Sequence, residues 1–321
     1  MSAAAPTAGP VLITGATGLV GSRLVRALLA HGRAVRVLSR DAEAAGERFA
    51  ALGGSVAAFA WDGTSPPAAA LDGSAAAVHL AGEPLFGGLV GAARLGAIRE
   101  SRVRSTERLV EAIGALAPAR RPRALVCASA VGIYGDRGEE ALPEDAAPGD
   151  GFLAELCVAW ERAAARAETL GVRAVRLRIG IVLAREGGAL PRLALPIRFG
   201  VGGPLGSGRQ LVPWIHVDDL VAMICAAIDD PRWSGAVNAV APEPARNAEL
   251  VRTVARLLHR PAFLRVPALP LKLALRELAG ELLGSRRVVP AKALAAGFRF
   301  AHPQLEEALA RELAPDRAGR H

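Results

Sequence analysis

Gly15, Gly18 and Gly21 stand where an apolar run, Val11-Leu12-Ile13, gives way to a stretch of helical apolar spacing from Ser22 to Ala30. In a strand-turn-helix setting each glycine has a task. Gly15 permits the tight turn out of the strand, Gly18 lets backbone amides approach a pyrophosphate, and Gly21 lets the helix pack closely on the strand. The intervening Thr17, Leu19 and Val20 offer those amides, and the helix N-terminus favours the negative charge. The chemistry indicated is dinucleotide binding, against the plainer reading of a structural turn.

The next strand end selects the dinucleotide. A carboxylate there would accept from a ribose 2′-hydroxyl, but Val35-Arg36-Val37-Leu38 runs into Ser39-Arg40. A guanidinium pairs well with a 2′-phosphate. Asp41 still stands within reach of a ribose, so the pattern favours NADP(H) over NAD(H) without closing the choice. Asp62, after the third strand, is a candidate for the adenine amino group or a plain turn residue of Asp62-Gly63.

Cys157 and Glu161 lie one helical turn apart and share a face. A carboxylate beside a thiol raises the thiol pKa, which makes Cys157 a poor thiolate and equally well a small core residue. Glu161 could serve as acid or base if buried, or pair with Arg162 or Arg166 at the surface. Arg209 and Gln210 follow a glycine-rich stretch and are candidates for an anionic or hydroxylated substrate, or for fixing a loop. His216, Asp218 and Asp219 read as a helix start, where Asp caps amides. Ser101 and Arg102 face either the cofactor or solvent. Cys127, Cys157 and Cys225 form no Cys-x-x-Cys, and no pair among the 6 histidines has i,i+4 spacing beside a carboxylate. Neither a disulfide framework nor a metal site is expected.

These residues must be positioned by an alternating pattern of elements. Strands are expected at Val11–Ile13, Ala34–Leu38, Val56–Trp61, Ala76–Ala81, Ala124–Ser129, Val172–Leu177 and Ala236–Val240. Helices are expected at Ser22–Ala30, Ala42–Leu52, Gly91–Leu116, Phe152–Leu170, Val217–Ile228, Ala248–Leu258, Leu269–Leu283 and Gln304–Leu313. Such alternation implies right-handed βαβ crossovers: an α/β fold with a Rossmann-type doubly wound parallel sheet. Residues 1–10 read as a flexible arm and 11–186 as the dinucleotide-binding domain, its sheet completed by about 211–241. After Gly180 the pattern loosens, and residues 187–210 read as loops around short elements.

Among 321 residues, 51% are hydrophobic and 22% charged, the composition of a globular chain. No apolar run reaches the length of a membrane span, and Met1 to Pro10 lacks the features of a signal peptide, so a cytoplasmic protein is expected. The net charge is +8, yet basic and acidic residues are interleaved and aromatics make up only 4%. That argues against a nucleic-acid partner. A small molecule is the expected partner, with the oligomeric state open.

Thr14 to Gly21, His79-Leu80-Ala81-Gly82, Ser129 to Gly135 and Trp214 to Asp219 resemble the extended short-chain dehydrogenase/reductase superfamily. Leu80 to Pro84, Cys157 to Glu161, Gly202 to Gln210, Ser285 to Pro290 and Gly297-Phe298 resemble more narrowly its YfcH-like "NAD-dependent epimerase/dehydratase" branch. The resemblance spans Val11 to Leu313 and implies a smaller C-terminal substrate lobe over residues 187–210 and 242–321. It implies a cofactor contact at Leu80, Ala81 and Gly82, and a nicotinamide near Ser129 and near Ile179 and Gly180. It also implies a Ser129 that orients a substrate oxygen, a place that Ala130 takes if the register moves by one. The superfamily's Tyr-x-x-x-Lys pair is absent. The single tyrosine, Tyr134, precedes Gly138 at that spacing, and is more a wall of the site than its proton donor. Cys157 and Glu161 stand on the corresponding helix. Two readings follow: an NADP(H)-binding oxidoreductase or epimerase-like enzyme acting on a small carbonyl or sugar-type substrate, or a non-catalytic or redox-sensing NADP(H)-binding protein.

Overall fold

Seven strands share one parallel sheet in the computed structural model, which describes residues 9–86 and 90–314. Most of the arm expected over 1–10 and the end of the lobe expected over 242–321 lie outside the described residues. The strands are β1 (Val11–Thr14), β2 (Val35–Ser39), β3 (Val56–Ala60), β4 (Ala76–His79), β5 (Ala124–Ala130), β6 (Arg173–Ile179) and β7 (Gly235–Ala239). Their order in space is β7-β6-β5-β4-β1-β2-β3. Val11 of β1 lies opposite Val35 on one side and Ala76 on the other. The chain thus reverses its direction of travel between β1 and β4, and ligands of such sheets bind in the crevice beyond the strand ends there.

Helices cover both faces, which is why the central strands are mostly apolar; all four residues of β1 are buried. Successive side chains go to opposite sides. Val11 and Ile13 join Val35, Val37 and Val126 against the helices Leu19–Ala30 and Val217–Asp229. Leu12 joins Leu38, Leu125 and Trp160 on the other side, beneath Ser105–Ala115 and Phe152–Ala165.

The helix expected from Gly91 to Leu116 is two helices, Ala92–Arg99 and Ser105–Ala115, joined through a π turn at Glu100–Arg104. The wider turn re-aims the helix face. Ser101 and Arg102 meet the loop after β4, while Ser105 Oγ reaches His79 Nε2 at 3.1 Å and Thr106 accepts from Trp160 Nε1 at 3.0 Å.

Two expectations need correction. Residues 187–210 are not only loops around short elements; they include a ten-residue helix, Ala189–Arg198, with Leu190, Ala194 and Ile197 buried beside Trp214 and Val251. Its Pro191 falls in the first turn, where a missing amide costs no helical hydrogen bond. The helix expected over Leu269–Leu283 is broken. Ala268–Leu275 stops at Arg276, whose φ of +46° ends the right-handed run, and Ala279–Leu283 follows as a separate turn of helix. Short strands at Ala141–Leu142 and Arg287–Val288 then pair, tying this C-terminal segment to the loop after β5. No helix among the described residues is long and apolar enough to cross a membrane.

Candidate dinucleotide and substrate site

The glycine turn sits at the strand-order reversal, pressed against the loop after β4. Gly15 has φ +69°, and a Cβ there would come within 2.7 Å of the Leu80 carbonyl carbon. A Cβ on Gly21 would fall 2.2 Å from the Gly15 carbonyl oxygen. Gly18 caps the helix Leu19–Ala30 with no side-chain hydrogen bond, so its first-turn amides keep their donors. The result is a bare cradle at a helix N-terminus, and it fits a pyrophosphate. Ala81 N donates to Thr14 Oγ1 at 3.1 Å, fixing the Leu80-Ala81-Gly82 loop to the end of β1. Gly180 lies under the Pro213 carbonyl, 2.8 Å from where its Cβ would be, so Ile179 and Gly180 leave the sheet at a point of close backbone approach.

At the end of β2, Arg40 is exposed and has no ion-pair partner among the described residues. Asp41 is committed elsewhere: its Oδ1 accepts from Ala44 N at 2.9 Å and caps the helix Ala42–Ala50. Ser39 Oγ accepts from Asp41 N at 3.3 Å. Asp62 likewise closes its own turn, accepting from the backbone and hydroxyl of Thr64.

A polar row crosses the sheet on the side of Phe152–Ala165. Ser129 on β5, Arg178 on β6 and Asn238 on β7 are register partners, so their side chains project side by side. Glu161 descends onto this row. Arg178 grips it with Nε at 2.8 Å from Oε1 and Nη2 at 2.9 Å from Oε2, and Ser129 donates to Oε1 at 2.7 Å. Arg178 Nη1 donates to the Tyr134 hydroxyl at 2.7 Å, and that hydroxyl donates to Asn238 Oδ1 at 2.7 Å. The surface pairing of Glu161 with Arg162 or Arg166 is thereby corrected: a carboxylate turned into the protein takes the buried guanidinium facing it. Tyr134 is fully buried, and burial holds its hydroxyl above the ordinary phenol range.

Cys157 lies one turn before Glu161, also buried. Burial pushes its thiol up to about 12, and the charges of Glu161 and Glu281 push the same way. Arg102 stands close by, its guanidinium 5.4 Å from the Trp160 ring centre and packed on Gly82, with no carboxylate in ion-pair contact among the described residues. Glu281, from the C-terminal segment, fills the space over Gly132: its Oε2 is 3.3 Å from where a Gly132 Cβ would stand. That oxygen is buried and takes no hydrogen bond, with Arg286 Nη1 at 3.4 Å. Sequence reasoning missed Arg178, one of three arginines on β6 and one residue past the expected strand end, and Glu281, which lay in no motif.

Of the residues assigned to substrate, Arg209 is exposed, whereas Gln210 is buried and donates to the carbonyls of Leu205 and Leu282 at 3.1 and 3.2 Å, fastening its loop. His216 and His302, 86 residues apart and out of any spacing rule, come together with Asp218, their ligand atoms within 4.8 Å of one another. These groups already have internal partners. Asp218 N donates to His216 Nδ1, Glu312 Oε1 lies 3.0 Å from His216 Nε2, and Arg23 Nη1 donates to Asp218 at 2.8 Å.

Strand order, crossover pattern and glycine cradle define a Rossmann-type dinucleotide-binding protein. The model of the NAD dependent epimerase/dehydratase family matches residues 11–239, and a domain of unknown function, DUF1731, matches 266–312. The chain belongs to the NAD dependent epimerase/dehydratase family. It is 38% identical to the Epimerase family protein SDR39U1 homolog, chloroplastic, of Arabidopsis thaliana, across 93% of this chain and 85% of that protein. It is 35% identical to the Epimerase family protein YfhF of Bacillus subtilis, across 95% and 98%. The crystal structure of human epimerase family protein SDR39U1 with NADPH superposes with a TM-score of 0.84 at 34% identity, covering 95% of this chain and 99% of that one.

Proposed function

We propose that this protein binds NADP(H) and reduces or epimerises a small carbonyl or sugar-type substrate. The observation carrying this reading is the bare glycine cradle with Arg40 at the end of the next strand, without an ion-pair partner among the described residues, while Asp41 is taken up in a helix cap. The NADPH in the human relative supports it. In this reading Gly15 to Gly21 hold the pyrophosphate, Arg40 with Ser39 meets the 2′-phosphate, and Leu80 to Gly82 with Ile179 and Gly180 flank the nicotinamide half. Such a dinucleotide supplies the exchange of a hydride with substrate carbon. Residues 11–186 with about 211–241 act as the dinucleotide domain, and 187–210 with 242–321 as the substrate lobe.

Glu161 and Arg178 act as positioning residues that keep the Ser129 hydroxyl in place. Tyr134 and Asn238 complete the wall behind them. A non-catalytic NADP(H)-binding protein is the second reading, favoured by one observation: the hydroxyls of Ser129 and Tyr134 are both already engaged inside the protein.

Calorimetric titration with NADPH and NADH tests the cofactor assignment. Arg40→Ala is expected to weaken NADPH binding about 10- to 100-fold, the worth of a charge-assisted hydrogen bond, and to leave NADH nearly unchanged. Equal weakening of the two would remove the 2′-phosphate from Arg40. Absence of binding to either would end the proposal.

A further inference from the structure

We infer that Glu281 is the proton-carrying residue of this site, a catalytic role for the C-terminal segment; the inference rests on the NADP(H)-dependent reduction proposed above. Reducing a carbonyl to an alcohol requires a proton at oxygen as well as a hydride at carbon. The groups at the end of β5 are poorly placed to give one. Ser129 donates its hydrogen to Glu161, and Glu161 is held at both oxygens by Arg178. The Tyr134 hydroxyl donates to Asn238 and accepts from Arg178. The Cys157 thiol is buried and binds its proton too tightly to exchange it readily.

Glu281 is different. It is the one carboxylate with a buried, unbonded oxygen among the described residues. Its Oε2 lies over Gly132, three residues beyond Ser129 on the segment that leaves β5. Arg286 is fixed there by two carbonyls, donating to Gly135 at 2.6 Å and to Gly280 at 2.9 Å, so its third nitrogen faces Glu281 without closing a hydrogen bond. Burial raises the carboxyl pKa and outweighs the opposing pull of Arg286. A protonated carboxyl in this position can donate to a substrate oxygen, and the carboxylate left behind gains the neighbouring guanidinium as a counter-charge.

The balance is complete. The O–H bond of Glu281 breaks and an O–H bond forms on the substrate as its C=O becomes C–OH. The second hydrogen, with both electrons, comes from the reduced dinucleotide, which ends oxidised. Solvent returns the proton to Glu281 before the next turnover.

Two measurements on the full chain test this. Infrared difference spectra of wild type against Glu281→Gln at pH 7, with and without NADPH, are expected to contain a protonated-carboxyl C=O stretch that the variant lacks. A Glu281 seen only as carboxylate overturns the inference. NADPH oxidation is then followed with p-nitrobenzaldehyde and a series of aliphatic aldehydes and ketones. Glu281→Gln is expected to lower kcat on the order of 100-fold with KM and NADPH affinity within about threefold, and Glu281→Asp to recover part of the rate. Wild-type turnover in the Gln variant would overturn the role of Glu281 alone. A wild type that binds NADPH and reduces none of the carbonyls would overturn the reductive reading, and this role with it.

Discussion

Replacing Glu161 with glutamine isolates the ion pair on which the polar row is built. The substitution keeps the side chain's size and one acceptor oxygen. It removes the charge and turns an amide donor toward Arg178 Nη2, now an oxygen's hydrogen-bond partner at 2.9 Å. Arg178 is 8% exposed and Glu161 11%, so solvent cannot take over the lost interaction. Breaking a buried pair from one side costs about 3–5 kcal/mol, because the remaining charge stays buried without its partner. Against the 5–15 kcal/mol typical of a folded domain, that is a large fraction. Urea denaturation followed by circular dichroism reads it directly. The cycle is completed with Arg178→Met and the double variant. Removing both charges is expected to cost less than the sum of the single losses, leaving a coupling energy of about 2–3 kcal/mol. A single Glu161→Gln loss below about 1 kcal/mol, or additive single losses, would refute the reasoning by showing that the pair is solvated in the folded protein.

Two further expectations concern the other side of the site. Burial lowers the His79 pKa from 6.5 to about 4, so the folded protein holds this ring neutral while the unfolded chain binds a proton below pH 6.5. Its contribution is whole above pH 6.5 and falls away toward pH 4, by about 3 kcal/mol; urea midpoints over that window should move less in His79→Asn than in wild type. Gly21→Ala places a methyl 2.2 Å from the Gly15 carbonyl oxygen. It is expected to destabilise the fold by about 1–3 kcal/mol and to weaken NADPH binding more than tenfold, measured by thermal melting and calorimetry.

The parallel sheet and its glycine turn were legible because they rest on local chemistry. A run such as Val11-Leu12-Ile13 can hardly be anything but a buried strand, and the glycines meet steric demands set by their immediate neighbours. The ends of elements were less legible. The glycines flanking it on both sides hid the helix Ala189–Arg198, and nothing near Arg276 announced a positive φ. The candidate site was legible only by halves. Ser129, Tyr134, Cys157 and Glu161 were singled out, but the partner that defines Glu161 is Arg178, on a strand 17 residues away and paired through sheet register. His216 and His302 meet across 86 residues for the same reason: tertiary packing, not spacing, brings them together.

The pairing of Arg287–Val288 with Ala141–Leu142, and the seating of Glu281 over Gly132, have a consequence in time. During synthesis the β5 end and the helix after it leave the ribosome about 130 residues ahead of the segment that covers them, an interval of roughly 7–25 s at ordinary elongation rates. Through that interval Leu153 and Leu156 lack Leu278, the side chain that finally buries beside them. The nascent chain therefore carries an open apolar patch at the β5 end, and for part of that time the helix Val217–Asp229 that packs against the cradle is also still to emerge. A dinucleotide arriving early would meet half a site, which becomes whole only once the segment 268–288 has been made and packed.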